Sequence, residues 1–165
     1  IWDYLQEVWK TMQNAVKRGL EQEGVLPGPL NLRRKASTYY IRASGYKQSL
    51  QSRGLVFAYA LAVSEENASG GVIVTAPTCG SCGVMPAVLY HLAKSREFSD
   101  TRILRALATA GLVGNIEKTN ASISGAEVGC QGEVGVACAM ASAAANQLFG
   151  GSLSLIHISE PTRPY

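Results

Sequence analysis

Ser69-Gly-Gly-Val-Ile-Val-Thr-Ala-Pro-Thr-Cys-Gly-Ser-Cys-Gly83 contains Val72-Ile-Val-Thr75, a run that reads as a short strand or an extended segment, ended by Ala76-Pro77. A doubly wound α/β fold needs several apolar strands alternating with helices. The chain offers this one candidate, so the fold class is mainly α with at most one short strand. The flanking sequence agrees. From Gln48 to Glu66, Leu50, Leu55, Val56, Tyr59, Leu61, Ala62 and Val63 read as a mostly buried helix. On the other side, Pro86 suits the first turn of a helix, where its missing N–H needs no partner, and that helix runs to about Arg96. Asp100 is a candidate N-cap for a helix near 101–114, and 132–149 reads as an Ala-rich helix closed by Gly150. At the other end of the chain, Leu5, Val8, Trp9, Met12, Val16 and Leu20 recur at steps of three and four, the period of an amphipathic helix over Ile1–Gln22. Glu23-Gly-Val-Leu-Pro-Gly-Pro29 then breaks it.

The composition fits helices packed through small side chains. Of 165 residues, 21 are Ala, 17 Gly and 15 Ser, while aromatics are 7% and charged residues 16%, below the usual ~25%. The net charge is only +3, and Arg33-Arg34-Lys35 beside Tyr39 and Tyr40 reads as a solvated turn, not as the basic stripe of a nucleic-acid binder. No apolar run reaches the ~18 residues of a membrane span. There is no basic flank, apolar stretch and cleavage site of an export signal. Cysteines 79, 82, 130 and 138 therefore default to a reducing cytoplasm, as thiols or metal ligands.

Three polar, Gly-rich segments hold the candidate chemistry. The 69–83 loop offers Thr75, Thr78 and Ser81 hydroxyls with free backbone N–H groups ahead of a helix, an arrangement suited to a small anion or simply to a turn. Glu117–Glu127 crowds Lys118, Asn120, Ser122, Ser124 and Gly125 between two apolar helices; such donor density points to a site, and Ser124 with Glu127 also reads as a capping box. Gly125, Gly129, Gly132 and Gly135 would form one stripe on a helix, admitting a second helix or a cofactor held by Cys130. Cys130 sits well for a thiolate ligand, Cys138 reads as a small buried hydrophobe, and Cys79-Gly-Ser-Cys82 lacks the further ligands of a zinc site. His91 reads as structural. Neither a dinucleotide fingerprint nor a P-loop is present, and the Gly-x-Ser-x-Gly of a serine hydrolase is missing.

The two ends have their own character. Ile1 opens in mid-pattern without a cap, which points to sequence upstream. Leu153–Tyr165 departs abruptly from the Ala- and Gly-rich chain before it and looks like a translated sequencing adapter, so it is expected to be a non-native tail, His157 included.

Ala60-Leu-Ala-Val-Ser-Glu-Glu-Asn-Ala-Ser-Gly-Gly71, Val74-Thr-Ala-Pro-Thr78, Pro86-Ala-Val-Leu89 and Lys118-Thr-Asn-Ala-Ser-Ile-Ser-Gly-Ala-Glu-Val-Gly-Cys-Gln-Gly-Glu-Val-Gly135 together resemble the alpha (catalytic) region of the iron–sulfur L-serine dehydratases. Val25-Leu-Pro-Gly28 with Arg33-Arg34 resembles an earlier segment of that family. The likeness covers about 20–151, and implies a partial alpha catalytic domain over 1–152. It implies a lyase with a [4Fe–4S] cluster and no pyridoxal phosphate, converting L-serine to pyruvate and ammonia in amino-acid catabolism and gluconeogenesis, with a serine dehydratase beta domain or subunit as partner and a homo-oligomer possible. By position, Cys130 matches the first of three cysteine ligands. The other two lie beyond this sequence in the family, so the chain alone is expected to be inactive.

What the resemblance implies mechanistically is an iron that draws off the serine hydroxyl as a Lewis acid while a base takes the α-proton. Thr75, Thr78, Asn120, Ser122, Ser124 and Gly125 would bind substrate and stabilise developing charge. Lys118 is the candidate catalytic residue, as the base or as the cation that pairs with the substrate carboxylate. The chain departs from the family's Thr-Ala-Pro-Thr-Asn-Gly-Ala-Ala-Gly at Cys79 and Cys82, which leaves room for another hydroxy- or thio-amino acid. Two other classes stand beside it: a pyridoxal-phosphate lyase with Lys118 in a Schiff base, and a non-catalytic helical module using Trp2, Trp9 and the apolar N-terminal face.

Overall fold

A computed structural model describes residues 1–152; the tail at 153–165, with His157, lies outside the described residues. Six helices run in order: α1 (Trp2–Glu21), α2 (Ala36–Ser44), α3 (Gln48–Ala68), α4 (Val84–Arg96), α5 (Asp100–Asn120) and α6 (Gly125–Leu148), with a 3-10 turn at Cys79–Ser81. The fold is mainly α. No strand forms among the described residues, and Val72–Thr75 is extended chain without a partner strand. Packing runs α1 on α3, α3 on α4, α4 on α6 and α6 on α5, while α2 lies mostly on α3.

One core serves all the long helices. Trp9, Met12 and Val16 of α1 meet Tyr59 and Val63 of α3, Met85 and Leu89 of α4, Ile103 and Leu107 of α5, and Val136, Met140 and Leu148 of α6. The three-and-four spacing of α1 delivers that face as expected. Trp9 is spent there: it is buried, and its indole N–H donates to Asp100 Oδ1 at 3.4 Å. A docking module built on Trp2 and Trp9 is thus left with Trp2 alone. Small residues bring the helices close, since a Cβ on Gly19 would strike the backbone carbonyl of Ala62.

Several local readings shift. Ser99, not Asp100, is the N-cap of α5, and the helix runs to Asn120 rather than stopping near 114. Once begun on a buried face, a helix propagates one hydrogen bond per residue, so the polar Glu117–Asn120 run becomes its last turn. Arg33-Arg34-Lys35 is more than a solvated turn. Residues 24–34 fold back through an isolated Val25–Arg33 bridge, and this inserts the Arg34 side chain, 6% exposed, against Glu66 Oε1 at 3.3 Å. Arg18 holds the same carboxylate at 3.0 Å. Cys138 is exposed rather than buried, because its flanking Ala137 and Ala139 take the core side of α6.

Glu65, next to Glu66 and also buried, accepts from the backbone N–H of Lys35 (2.6 Å) and Ala36 (3.3 Å). Helix α2 has no cap of its own, so a carboxylate from another helix satisfies its amides and its positive end. At the C-terminus of α3, Gly71 N–H donates to Glu66 O and Gly70 N–H to Asn67 O, a Schellman closure that requires the positive φ of 74° at Gly70.

Removing one partner of a buried pair leaves the other as an uncompensated charge. Glu66→Ala is therefore expected to cost about 3–5 kcal/mol in urea unfolding, and Arg18→Ala much less, its side chain being 39% exposed. Equal losses would remove Arg34 burial as the cause.

Candidate active site

From the Gly70 closure the chain runs across the molecule to α4. Arg18 holds its start, donating to Val72 O at 2.6 Å. Asn67 clips its end by donating to Cys79 O at 3.1 Å. Between these points Val74, Thr75, Ala76 and Pro77 form one wall of a cleft of about 500 Å³. The other walls come from α1 (Tyr4, Val8, Met12), α5 (Leu107, Gly111, Asn115, Lys118) and Ile123. It is a largely apolar hollow whose polar groups are the Lys118 ammonium, the Thr75 and Tyr4 hydroxyls and the Asn115 amide, drawn from separate elements. Lys118 and Thr75 are exposed to solvent. Such a cleft accommodates a small polar molecule that brings its own charge.

A second polar corner lies at the end of the same segment. Thr78 Oγ1 hydrogen-bonds Glu133 Oε1 and sits 3.2 Å from Ser81 Oγ. Glu133 was not singled out from the sequence. The corner exists because α6 is not straight. Gly129 has φ 73° and ψ 171° inside the helix, a conformation only glycine adopts readily. On a straight helix residues 125 and 133 would be ~12 Å apart along the axis. Here a Cβ on Gly125 would meet Glu133 Oε2 at 2.8 Å, and one on Gly80 would meet Oε1 at 2.6 Å. The bend brings Gly125, at the start of α6, against the Glu133 carboxylate and breaks the glycine stripe expected from the 4-3-3 spacing.

The other candidates are placed as follows. Asn120 is exposed at the end of α5. Ser124 is the N-cap of α6 but makes no side-chain cap bond. Glu127 instead hydrogen-bonds Ser122 Oγ, and Ser124 N–H donates to Ser122 Oγ at 3.1 Å. The expected capping box is thus replaced by a Ser122-centred turn, because Ser124 follows rather than leads the bend. Asn120, Ser122 and Ser124 do not line the cleft. His91 Nε2 lies 2.7 Å from Ser52 Oγ, and burial lowers its pKa, so it joins α3 to α4 as a structural side chain.

Cys79, Cys130 and Cys138 are exposed and Cys82 is buried. Burial pushes the Cys82 thiol up to about 11, with the adjacent Cys79 and the Glu133 carboxylate adding to the shift against an opposing backbone hydrogen bond. Cys130, one residue past the bend, is open for coordination. No three His, Cys, Asp or Glu side chains converge as a metal site among the described residues. The described residues by themselves therefore do not hold a four-iron cluster of the kind the resemblance implies.

The model of the serine dehydratase alpha chain matches residues 1–158. The chain belongs to the serine dehydratase alpha chain family. It is 49% identical over 155 residues to the L-serine dehydratase of Haemophilus influenzae, covering 90% of this chain and 34% of that protein. L-serine dehydratase 1 of Escherichia coli is 50% identical over 155 residues, 91% of this chain and 34% of the relative. The Streptomyces coelicolor L-serine dehydratase is 48% identical over 151 residues, with 90% and 33% covered. The chain thus spans about a third of the length of these relatives.

Thiol alkylation tests the environment around the corner. At pH 8 only about one Cys82 in a thousand is thiolate, so iodoacetamide is expected to label Cys79, Cys130 and Cys138 quickly and Cys82 only after unfolding. Rapid labelling of Cys82 in the folded protein would contradict its burial.

Proposed function

We propose that this chain carries part of the active site of an L-serine ammonia-lyase. The enzyme eliminates water from L-serine, and the enamine product then hydrolyses to pyruvate and ammonia. The observation that supports this reading is the meeting of Thr75 and Lys118 in one cleft, since both belong to segments through which the chain resembles the iron–sulfur dehydratases. A small amino acid fits the cleft. Its carboxylate finds donors there beside the apolar walls from α1 and α5.

In this reading Lys118 acts on the substrate directly, at the α-proton or at the carboxylate, and Thr75 donates a hydrogen bond beside it. A [4Fe–4S] cluster would supply Lewis-acid chemistry to the departing hydroxyl. Cys130 is proposed as one of its thiolate ligands, with the rest coming from outside the described residues. The beta domain or subunit of the family is the proposed partner, and the cytoplasm the proposed compartment.

The test is made in the full-length protein, purified without oxygen and assayed for pyruvate from L-serine. Cys130→Ser is expected to abolish both turnover and the broad visible absorption of an iron–sulfur cluster. Lys118→Met is expected to lower kcat/KM by at least about 100-fold and leave that absorption intact. A pyridoxal-phosphate spectrum, or full activity in Cys130→Ser, would overturn the cluster reading.

A further inference from the structure

Glu133 is a half-buried carboxylate that belongs to neither of the two ion pairs among the described residues, both of which use Glu66. An ionised carboxylate only accepts hydrogen bonds. The single hydroxyl proton of Thr78 is therefore committed to Glu133, Ser81 Oγ at 3.2 Å donates to Thr78 in turn, and Thr78 offers its remaining lone pair, not a donor, to anything else that approaches. A substrate carboxylate placed there would meet negative charge and no free proton from Thr78. An ammonium group would meet two acceptors and bring three donors. At the near end of the same segment the polarity is reversed, because Lys118 has donors only and lines the same cleft as Thr75.

We propose that Glu133 and Thr78 form the subsite for the α-ammonium group of the substrate, and that Lys118 with Thr75 takes its carboxylate. Two residues, Ala76 and Pro77, separate Thr75 from Thr78, a span of at most about 10 Å of chain, so a zwitterion is oriented between an anionic and a cationic pole. The assignment rests on an amino acid being the substrate. It gives Lys118 the role of carboxylate partner, and it takes Thr78 out of the small-anion site that the 69–83 sequence suggests. It also explains why glycine stands at both 80 and 125, where any side chain would displace the Glu133 carboxylate.

Discrimination between L-serine and glycerate, in which a hydroxyl replaces the ammonium, tests this in the full-length protein. Glu133→Gln is expected to raise the KM and calorimetric Kd for L-serine by about 10-fold or more while changing the glycerate inhibition constant by less than about 3-fold. Lys118→Met is expected to weaken both ligands. Glu133→Asp keeps the charge one methylene back and should lose part of the discrimination; it carries the comparison if the Gln variant does not fold. An equal effect of the Glu133 substitutions on both ligands, or none on either, overturns the subsite while leaving the lyase reading intact. Wild-type protein that neither binds nor turns over L-serine overturns the lyase reading and the subsite with it.

Discussion

Two arginines close on one buried carboxylate, and the rest of the structure is arranged around that knot. Glu66 comes from the last turn of α3, Arg18 from α1, and Arg34 from the fold-back ahead of α2. Desolvating these charges is costly, and their attraction does little more than offset it. What the knot contributes is register. Glu66 can satisfy both guanidiniums only if α1 and α3 pack at a single offset, the offset at which Gly19 sits against Ala62. Its neighbour Glu65 seats the N-terminus of α2, and Arg34 also donates to Ser69 Oγ at 2.6 Å, tying the same knot to the start of the loop that follows.

That loop is where the packing reaches the proposed site. The Gly70 closure and the Arg18 bond to Val72 O fix its direction of departure, and Asn67 fixes its return at Cys79. Thr75 and Thr78 are consequently held at two ends of one short strap, one facing the cleft and the other the bend of α6. An active-site loop on a rigid scaffold needs such anchoring, because errors of about 1 Å in placing a substrate erode the advantage of orientation. The bend at Gly129 plays the same part from the other side, since it brings residues eight apart on one helix into contact.

Much of this was legible in the residues. The apolar period of α1, the buried run of α3, Pro86 in the first turn of α4 and Gly150 after α6 each carry a local signal of the right strength, and the helices stand where those signals put them. The residues of the proposed site were legible in part: Thr75 and Lys118 could be named because polar, Gly-rich sequence is unusual in a chain so low in charge. Glu133 was not, because nothing in Gln131-Gly-Glu-Val134 distinguishes a site carboxylate from a solvated one. Arg34 was misread for the same reason. A cluster of three basic residues looks solvated until a partner 32 positions away is known to be buried against it.

The sequence by itself determined the helical class, where the long helices lie, though not the end of α5 at Asn120 or the start of α6 at Gly125, and the family, since all three depend on near-neighbour patterns or on runs of matched residues. Only the tertiary structure decided which of the polar residues meet. The pairing of Thr78 with Glu133 and of Arg34 with Glu66, and the cleft that Thr75 and Lys118 both line, each join residues more than thirty positions apart. Such pairings follow from how the helices stack and where one of them bends, and no local period encodes them.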